Sequence, residues 1–187
     1  MGSFTNEGLV TSTATGATYN RLESCLVGST WWLSLGSFWT GIKGQTLSSS
    51  TGKPTGTSVT SLAERFVNSD AMEASVIFQN GDFYYLFTSW DLCCRGTSST
   101  YSIHVGRSST FNGGFVDASG VALTDGGGTL VLASHDSIIG PGGQDLMNDV
   151  DGVIMVYPWN QQAGLLFRLA GIVRFRQHVV AFSLAPS

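Results

Sequence analysis

Short apolar runs alternate along this chain with turns rich in glycine, serine, asparagine and aspartate, and helical periodicity is scarce. Runs of β-branched and aromatic residues between such turns predict short β-strands. The predicted strands cover residues 30–37, 74–78, 83–90, 101–106, 129–134 and 153–157. The Asn80-Gly81 pair predicts a tight hairpin, because both central positions of such a turn favour positive φ. Residues 165–173 are the best helical candidate.

A loose internal repeat groups these strands into larger units. Two aromatic residues and a leucine are followed by serine and tryptophan at 31–39 and again, about 52 positions later, at 84–90. Residues 152–159 form a weaker third copy. Repeats of this length with several short strands each predict a β-propeller with one four-stranded blade per repeat. A β-sandwich with similar hairpins is the alternative.

Composition narrows the classes of ligand that this protein is expected to bind. The chain carries 13 acidic and 9 basic residues, a net charge of −4, which argues against nucleic acid as a partner. Charged residues make up 12% of the chain, about half of the usual share. Abundant hydroxyl groups and 11% aromatic residues are typical of proteins that bind neutral polar ligands such as sugars.

Neither a membrane anchor nor a metal centre is predicted. The apolar runs are too short to span a bilayer, and residues 1–10 are polar and carry no apolar signal core. The three cysteines, Cys25, Cys93 and Cys94, match neither a disulfide framework nor a zinc spacing, and we interpret them as small apolar residues or one pair. The histidines are scattered and lack ligand spacing.

A change of charge near the carboxyl end predicts a domain boundary. Residues 1–163 carry a net charge of −7, whereas residues 164–187 are apolar, contain three arginines and no acid, and carry +3. We therefore predict a main domain at 1–163 and an atypical tail at 164–187. The tail is interpreted as a final strand pair, a membrane-surface segment or sequence foreign to the fold.

Two of the four glutamates are candidates for acid–base chemistry. Glu73 lies at the start of an apolar strand, and Glu23 lies just before another apolar stretch. Apolar surroundings favour the protonated carboxyl group, which is what a general acid needs near neutral pH. The alternative is that both are partly exposed residues at strand ends.

An ordered series of motifs extends over roughly residues 6–159. Its longest member, residues 84–108, reads YYLFTSWDLCCRGTSSTYSIHVGRS, and others are residues 7–10, 36–43, 51–54, 126–129, 140–143 and 149–152. The series resembles the family 43 glycoside hydrolases, in particular the fungal endo-1,5-α-L-arabinanases. The resemblance implies an all-β, five-bladed β-propeller, of which about three blades are present here, and a secreted, extracellular enzyme of plant cell-wall degradation. It implies hydrolysis of arabinan or arabino-oligosaccharides with inversion.

The resemblance also assigns roles to individual residues. Glu73 falls on the general acid, and Glu23 takes the position of an aspartate that orients the acid and tunes it. Asn20, Ser37 and Trp39 match positions along the substrate groove. An inverting enzyme holds its acid and base roughly 6.5–9.5 Å apart so that a water fits between base and sugar.

Two departures from the family pattern favour a second interpretation. The blade with the aspartate base is expected upstream of Asn6, and Pro158 stands where the family has a histidine beside a Ca²⁺ on the propeller axis. No metal site is therefore predicted. The alternative function is a non-catalytic, glycan- or protein-binding pseudoenzyme.

An open arc of blades would also expose sheet edges, which predicts a homodimer or an edge covered by the tail.

Overall fold

The computed structural model describes residues 22–27, 29–36, 38–67, 70–150, 152–161 and 169–175. Within these ranges the chain forms twelve β-strands and no α-helix, and the strands make three four-stranded sheets with antiparallel pairing. This confirms the prediction of an all-β protein. None of the described helical turns is long or apolar enough to cross a membrane.

The first sheet is a simple meander in chain order. Its strands are β1 (Leu22–Val27), β2 (Thr30–Leu35), β3 (Ile42–Leu47) and β4 (Thr60–Ala63). Trp31 near the start of β2 is exposed, whereas the last four residues of the strand are buried, so β2 points its carboxyl end into the core.

The second sheet repeats this order. Its strands are β5 (Met72–Asn80), β6 (Phe83–Trp90), β7 (Ser102–Ser108) and β8 (Thr129–Leu132). The predicted hairpin joins β5 to β6, but Asn80 pairs with Phe83, so Gly81 and Asp82 are the central turn residues. Gly81 has φ of +60°, a conformation that glycine adopts without steric cost.

The third sheet includes part of the predicted tail. Its strands are β9 (Ile138–Ile139), β10 (Asp145–Asp149), β11 (Gly152–Gln161) and β12 (Leu169–Phe175). The prediction of a helix over 165–173 is wrong in its described part, because residues 169–173 pair with β11 as a strand. Short apolar runs fit both periods, and here the partner strand decides between them.

The internal repeat corresponds to the sheets. Its three copies supply β2, β6 and β11, each hydrogen-bonded to the strand before it and the strand after it. The repeat therefore marks an interior strand in each of the three sheets, although β11 also pairs with the short strand β9.

The second sheet lies between the other two. One buried cluster joins it to the first sheet and contains Trp32, Ile42, Leu62, Ala63, Met72, Ile77, Leu86, Trp90, Phe115 and Leu123. Another joins it to the third sheet and contains Tyr85, Phe87, Ile103, Val105, Met155 and Tyr157. Strand β5 contacts both outer sheets, through β1, β2 and β3 on one side and β10 on the other. The buried start of β5 therefore lies between the two outer sheets.

The close contact between Gly44 and the Trp32 ring in the first sheet can be tested by substitution. A methyl group on Gly44 would lie 2.1 Å from the indole ring of buried Trp32. We expect Gly44→Ala to lower the free energy of unfolding by about 1–3 kcal/mol, measured by urea denaturation. Gly56→Ala is the matched control, because nothing lies within 4 Å of that position. Equal denaturation midpoints for the two variants would contradict the packing described here.

Candidate functional site

Glu73 is a buried carboxylate at the start of β5, with an exposed fraction of 5%. It pairs with Ser89 of β6, and the register then shifts before the next pair at Val76. Ala74, inside this bulge, has φ of +53°, which is a strained conformation for a residue with a side chain. The bulge interrupts the regular alternation of β5 directly after Glu73.

Glu73 accepts a hydrogen bond from the side chain of Tyr101. Its hydroxyl donates to Oε1 of Glu73 at 2.5 Å, and both side chains are buried. Burial, and after it the hydrogen bond to Glu73, raises the pKa of Tyr101, so the phenol keeps its proton. The ring lies against Gly142, where a methyl group would come within 2.1 Å of it. Tyr101 therefore orients the carboxyl group from a fixed position.

A small cavity of about 80 Å³ opens beside this pair, and we call it the Glu73 cavity. It lies where the second sheet meets loops of the third. Its lining residues are Glu73, Cys93, Cys94, Tyr101, Gly140, Gly142, Gly143, Pro158, Trp159 and Asn160.

A hydrogen-bond chain attaches the third sheet to the bulge in β5. The backbone N–H of Gly143 donates to Oγ of Ser89 at 2.9 Å, and Ser89 donates to Oε1 of Gln144 at 2.7 Å. The Gln144 amide then donates to the backbone carbonyl of Ala74 at 2.8 Å. Because Ser89 and Gln144 are buried, this chain holds the strained bulge beside Glu73 without competition from water.

Strained backbone is concentrated in the loops near the two ends of this site. Among the described residues other than glycine, positive φ occurs at Phe38, Trp39, Asp70, Ala74, Asp91 and Cys94, in addition to Phe66 and Asp136. Two of these loops are tied to the start of β5, since Phe38 N–H donates to Met72 and Asp91 N–H donates to Ala71. Such conformations cluster at functional sites.

The structure places only some of the predicted site residues. Glu73 lies in the cavity, and Trp39 is 61% exposed on a neighbouring loop, outside the set that lines the cavity. Glu23 lies on β1, which packs against β5, but its side chain is outside the described part of the structure, as are Asn20 and Ser37 entirely. Their roles stay predictions.

Several residues that form the site were not predicted from the sequence. Tyr101 and the Gly-Pro-Gly-Gly segment at 140–143 stood out only as parts of the motif series that carries the family resemblance. The signal that identifies Tyr101 is its position one residue before β7, but its contact with Glu73 spans 28 residues of chain and requires the fold.

A stack of three side chains supports the far side of β6. The guanidinium of Arg65 lies 4.3 Å from the Trp90 ring centre, and the Trp90 ring is stacked on His104 at 3.6 Å. Arg65 also donates to Asp91 at 2.8 Å. Burial lowers the pKa of His104 to about 4, with the nearby Arg65 charge acting in the same direction and a hydrogen bond to Gly128 opposing it.

The low pKa of His104 predicts a loss of stability in acid. Its folded pKa of about 4 lies below the ordinary value of 6.5, so the unfolded chain binds the proton more readily. The contribution of neutral His104 to the free energy of unfolding is fully present above pH 6.5. It is lost as the pH falls through about 4, and the loss is about 2 kcal/mol because the ring is partly exposed. His104→Gln should flatten this part of the stability profile, whereas His135→Gln, at an exposed histidine, should not. Parallel profiles for wild type and His104→Gln would refute the prediction.

The residues present do not fit the Ca²⁺ implied by the family resemblance. Calcium takes six to eight oxygen ligands, and Pro158, at the position of the family's histidine, offers the cavity a ring without a donor atom. The described residues also contain no group of three or more histidine, cysteine, aspartate or glutamate side chains arranged for a metal. The donor atoms at this position therefore do not suit Ca²⁺.

A family model and individual relatives relate this chain to the same group of proteins. The sequence model of glycosyl hydrolases family 43 matches residues 2–171. The chain is 44% identical over 151 residues to the extracellular endo-α-(1→5)-L-arabinanase 1 of Bacillus subtilis, with 79% of this chain and 46% of that protein covered. It is 42% identical over 165 residues to a probable arabinan endo-1,5-α-L-arabinosidase A of Aspergillus flavus, with 83% and 51% covered.

A solved structure supports the same comparison. The endo-arabinanase of Bacillus licheniformis superposes with a TM-score of 0.83 at 37% identity, with 91% of this chain and 58% of that one covered. The present chain spans about half the length of the curated relatives that it matches.

Proposed function

Because the chain belongs to glycosyl hydrolase family 43, we propose that it acts on arabinan and cleaves internal α-1,5-arabinofuranosyl linkages, with Glu73 as the general acid. The observation that carries this proposal is a buried carboxylate held by a protonated tyrosine at the wall of a cavity. The relatives named above, which are described as arabinan-cleaving, support the choice of substrate. The non-catalytic alternative has less support, because these relatives are arabinan-cleaving enzymes by name.

The geometry suits a carboxyl group that delivers a proton. The cavity wall places Glu73 beside open space, and the Tyr101 hydroxyl fixes one of its two oxygens. In the proposed reaction Glu73 protonates the departing glycosidic oxygen, while a base on the opposite side of the sugar activates water. Inversion follows from that arrangement, because water attacks the face opposite the leaving group.

Further roles are proposed for the other predicted residues. Glu23 orients and tunes the acid, and the packing of β1 against β5 supports its approach to Glu73. Asn20, Ser37 and Trp39 contact the substrate, and the exposed indole of Trp39 offers an apolar face for a sugar ring.

We also propose the larger architecture that the resemblance implies. The three sheets are three blades of a five-bladed β-propeller, and the tail of residues 164–187, which follows the main domain of residues 1–163, contributes the strand β12 to the third blade. The pairing of β12 with β11 supports the interpretation in which the tail begins as a final strand. An extracellular location is supported by the Bacillus subtilis relative. A homodimer through exposed sheet edges is testable by light scattering.

The deciding experiment is digestion of debranched linear arabinan, with linear xylan as the control polysaccharide. In the protein that includes the base-bearing blade expected upstream of Asn6, we expect short arabino-oligosaccharides from arabinan and no product from xylan, separated by anion-exchange chromatography. Proton NMR of the first product should show the inverted anomer. Arabinose as the sole product would contradict internal cleavage, and absence of both hydrolysis and arabinan binding would contradict the proposed function.

A further inference from the structure

Cys93 and Cys94 stand next to each other on the rim of the Glu73 cavity. Their Sγ atoms are in contact at 2.6 Å, although the residues are neighbours in the chain. Cys93 is half-buried and Cys94 is exposed, so small reagents in solvent can reach the pair. Nothing in the proposed hydrolysis uses these two sulfur atoms.

The loop that carries them is held in one conformation. Leu92 and Thr100 bind each other across it, through Leu92 N–H to the Thr100 hydroxyl and Thr100 N–H to the Leu92 carbonyl. Arg95 N–H donates to the Ser99 hydroxyl at 3.0 Å, and the Asn160 amide of the third sheet donates to the same hydroxyl. Cys94 itself has φ of +66°, a sharp turn that brings its side chain beside that of its neighbour.

We propose that Cys93 and Cys94 are a thiol modification site, a vicinal dithiol that closes to a disulfide by exchange with a small-molecule disulfide. One cysteine thiolate attacks the small disulfide, forms a mixed disulfide and releases one thiol. The second cysteine then attacks the protein sulfur of that mixed disulfide and expels the second thiol. Two protein thiols are oxidised, and one external disulfide is reduced to two thiols.

Adjacency makes the closed form readily reducible. Neighbouring Cα atoms are about 3.8 Å apart, below the roughly 4.4–6.8 Å usual between bridged cysteines. A disulfide between them is therefore strained and more easily opened by external thiols than an ordinary one. The pair responds to the thiol–disulfide balance of its surroundings.

Whether Cys93 and Cys94 form a disulfide or remain thiols determines which groups can attach at the rim of the cavity. The closed pair adds no atoms to the cavity wall, whereas a group attached to either open thiol projects beside Glu73 and Tyr101. Because the cavity measures only about 80 Å³, a group of a few heavy atoms fills it. Modification of the open pair is therefore expected to block the site.

The test is mass spectrometry of the whole chain after incubation with oxidised glutathione. After desalting, labelling with N-ethylmaleimide and digestion without reductant, we expect a peptide spanning 93–94 that is lighter by two hydrogens and unlabelled. After dithiothreitol, the same peptide should take two labels. Cys25→Ser should leave this result unchanged. A stable glutathione adduct on either residue, a link to Cys25, or two labels without reductant would overturn the proposal.

A second measurement tests the effect on the cavity and rests on the proposed function. The doubly labelled chain should bind arabinohexaose about tenfold more weakly than the disulfide form, measured by calorimetry. The labelling treatment should leave the affinity of Cys93→Ser/Cys94→Ser as it was before that treatment, and equal affinity of the labelled and closed wild type would contradict the blocking role. If neither form binds the sugar, the proposed function fails, and the masses still decide whether the pair closes.

Discussion

Replacing Glu73 with glutamine is expected to lower the rate of arabinan hydrolysis about 10²–10⁴-fold. Glutamine has nearly the same size and its side-chain oxygen can still accept the Tyr101 hydrogen bond, so the fold should survive. It carries no acidic proton for the departing glycosidic oxygen. The measurement is the initial rate of reducing-sugar release from debranched arabinan, with folding checked by circular dichroism.

The control for that variant removes a carboxylate elsewhere. Asp82→Asn changes an exposed residue of the β5–β6 turn and should leave the rate within about twofold of wild type. A rate for Glu73→Gln within tenfold of wild type, in a folded chain, would show that Glu73 is not the general acid.

The second large effect is expected for Tyr101→Phe. The variant removes the buried hydroxyl that donates to Glu73, and removing one partner of a buried hydrogen bond costs about 1–3 kcal/mol. If Tyr101 is a positioning residue, kcat should fall about 10–100-fold while KM changes little. The arabinan assay at several substrate concentrations separates the two constants.

Tyr84→Phe is the matched control, because Tyr84 is half-buried on the same sheet and packs against Phe111, away from the cavity. Its kcat and KM should both stay near those of wild type. A Tyr101→Phe variant that is less stable but retains its kcat would show that the tyrosine is structural only.

The strands were predictable where local pattern and pairing agree. The run 83–90 is apolar, aromatic and preceded by a glycine turn, and it forms β6 with the predicted bounds. The segment 165–173 was misassigned because its apolar residues fit a helix as well as a strand. Its pairing with β11 depends on a partner that local sequence does not contain. The repeat predicted the division into four-stranded sheets because each copy supplies an interior strand of one sheet.

The candidate site was predictable only in part. Glu73 stood out as a carboxylate at the start of an apolar strand, and the structure places it in a cavity. Tyr101, Gln144 and the cysteine pair could not be connected to it in advance. The contacts of Tyr101 and Gln144 join β5 to residues 28 and 70 positions later in the chain, and only the packing of sheets brings these together.

The order of the strands also has a consequence for how the chain acquires its structure. In the first two sheets each strand pairs with its immediate chain neighbour, so no loop that must close encloses another strand, and the entropy lost in closing it grows only slowly with its length. All strands of the first sheet precede β5 in the chain, so this sheet can form its pairs without any later strand. The start of β5 packs against that sheet, whereas the cavity beside Glu73 also needs Trp159 and Asn160, more than 80 residues further along the chain. The surroundings of Glu73 are therefore assembled from early and late parts of the chain.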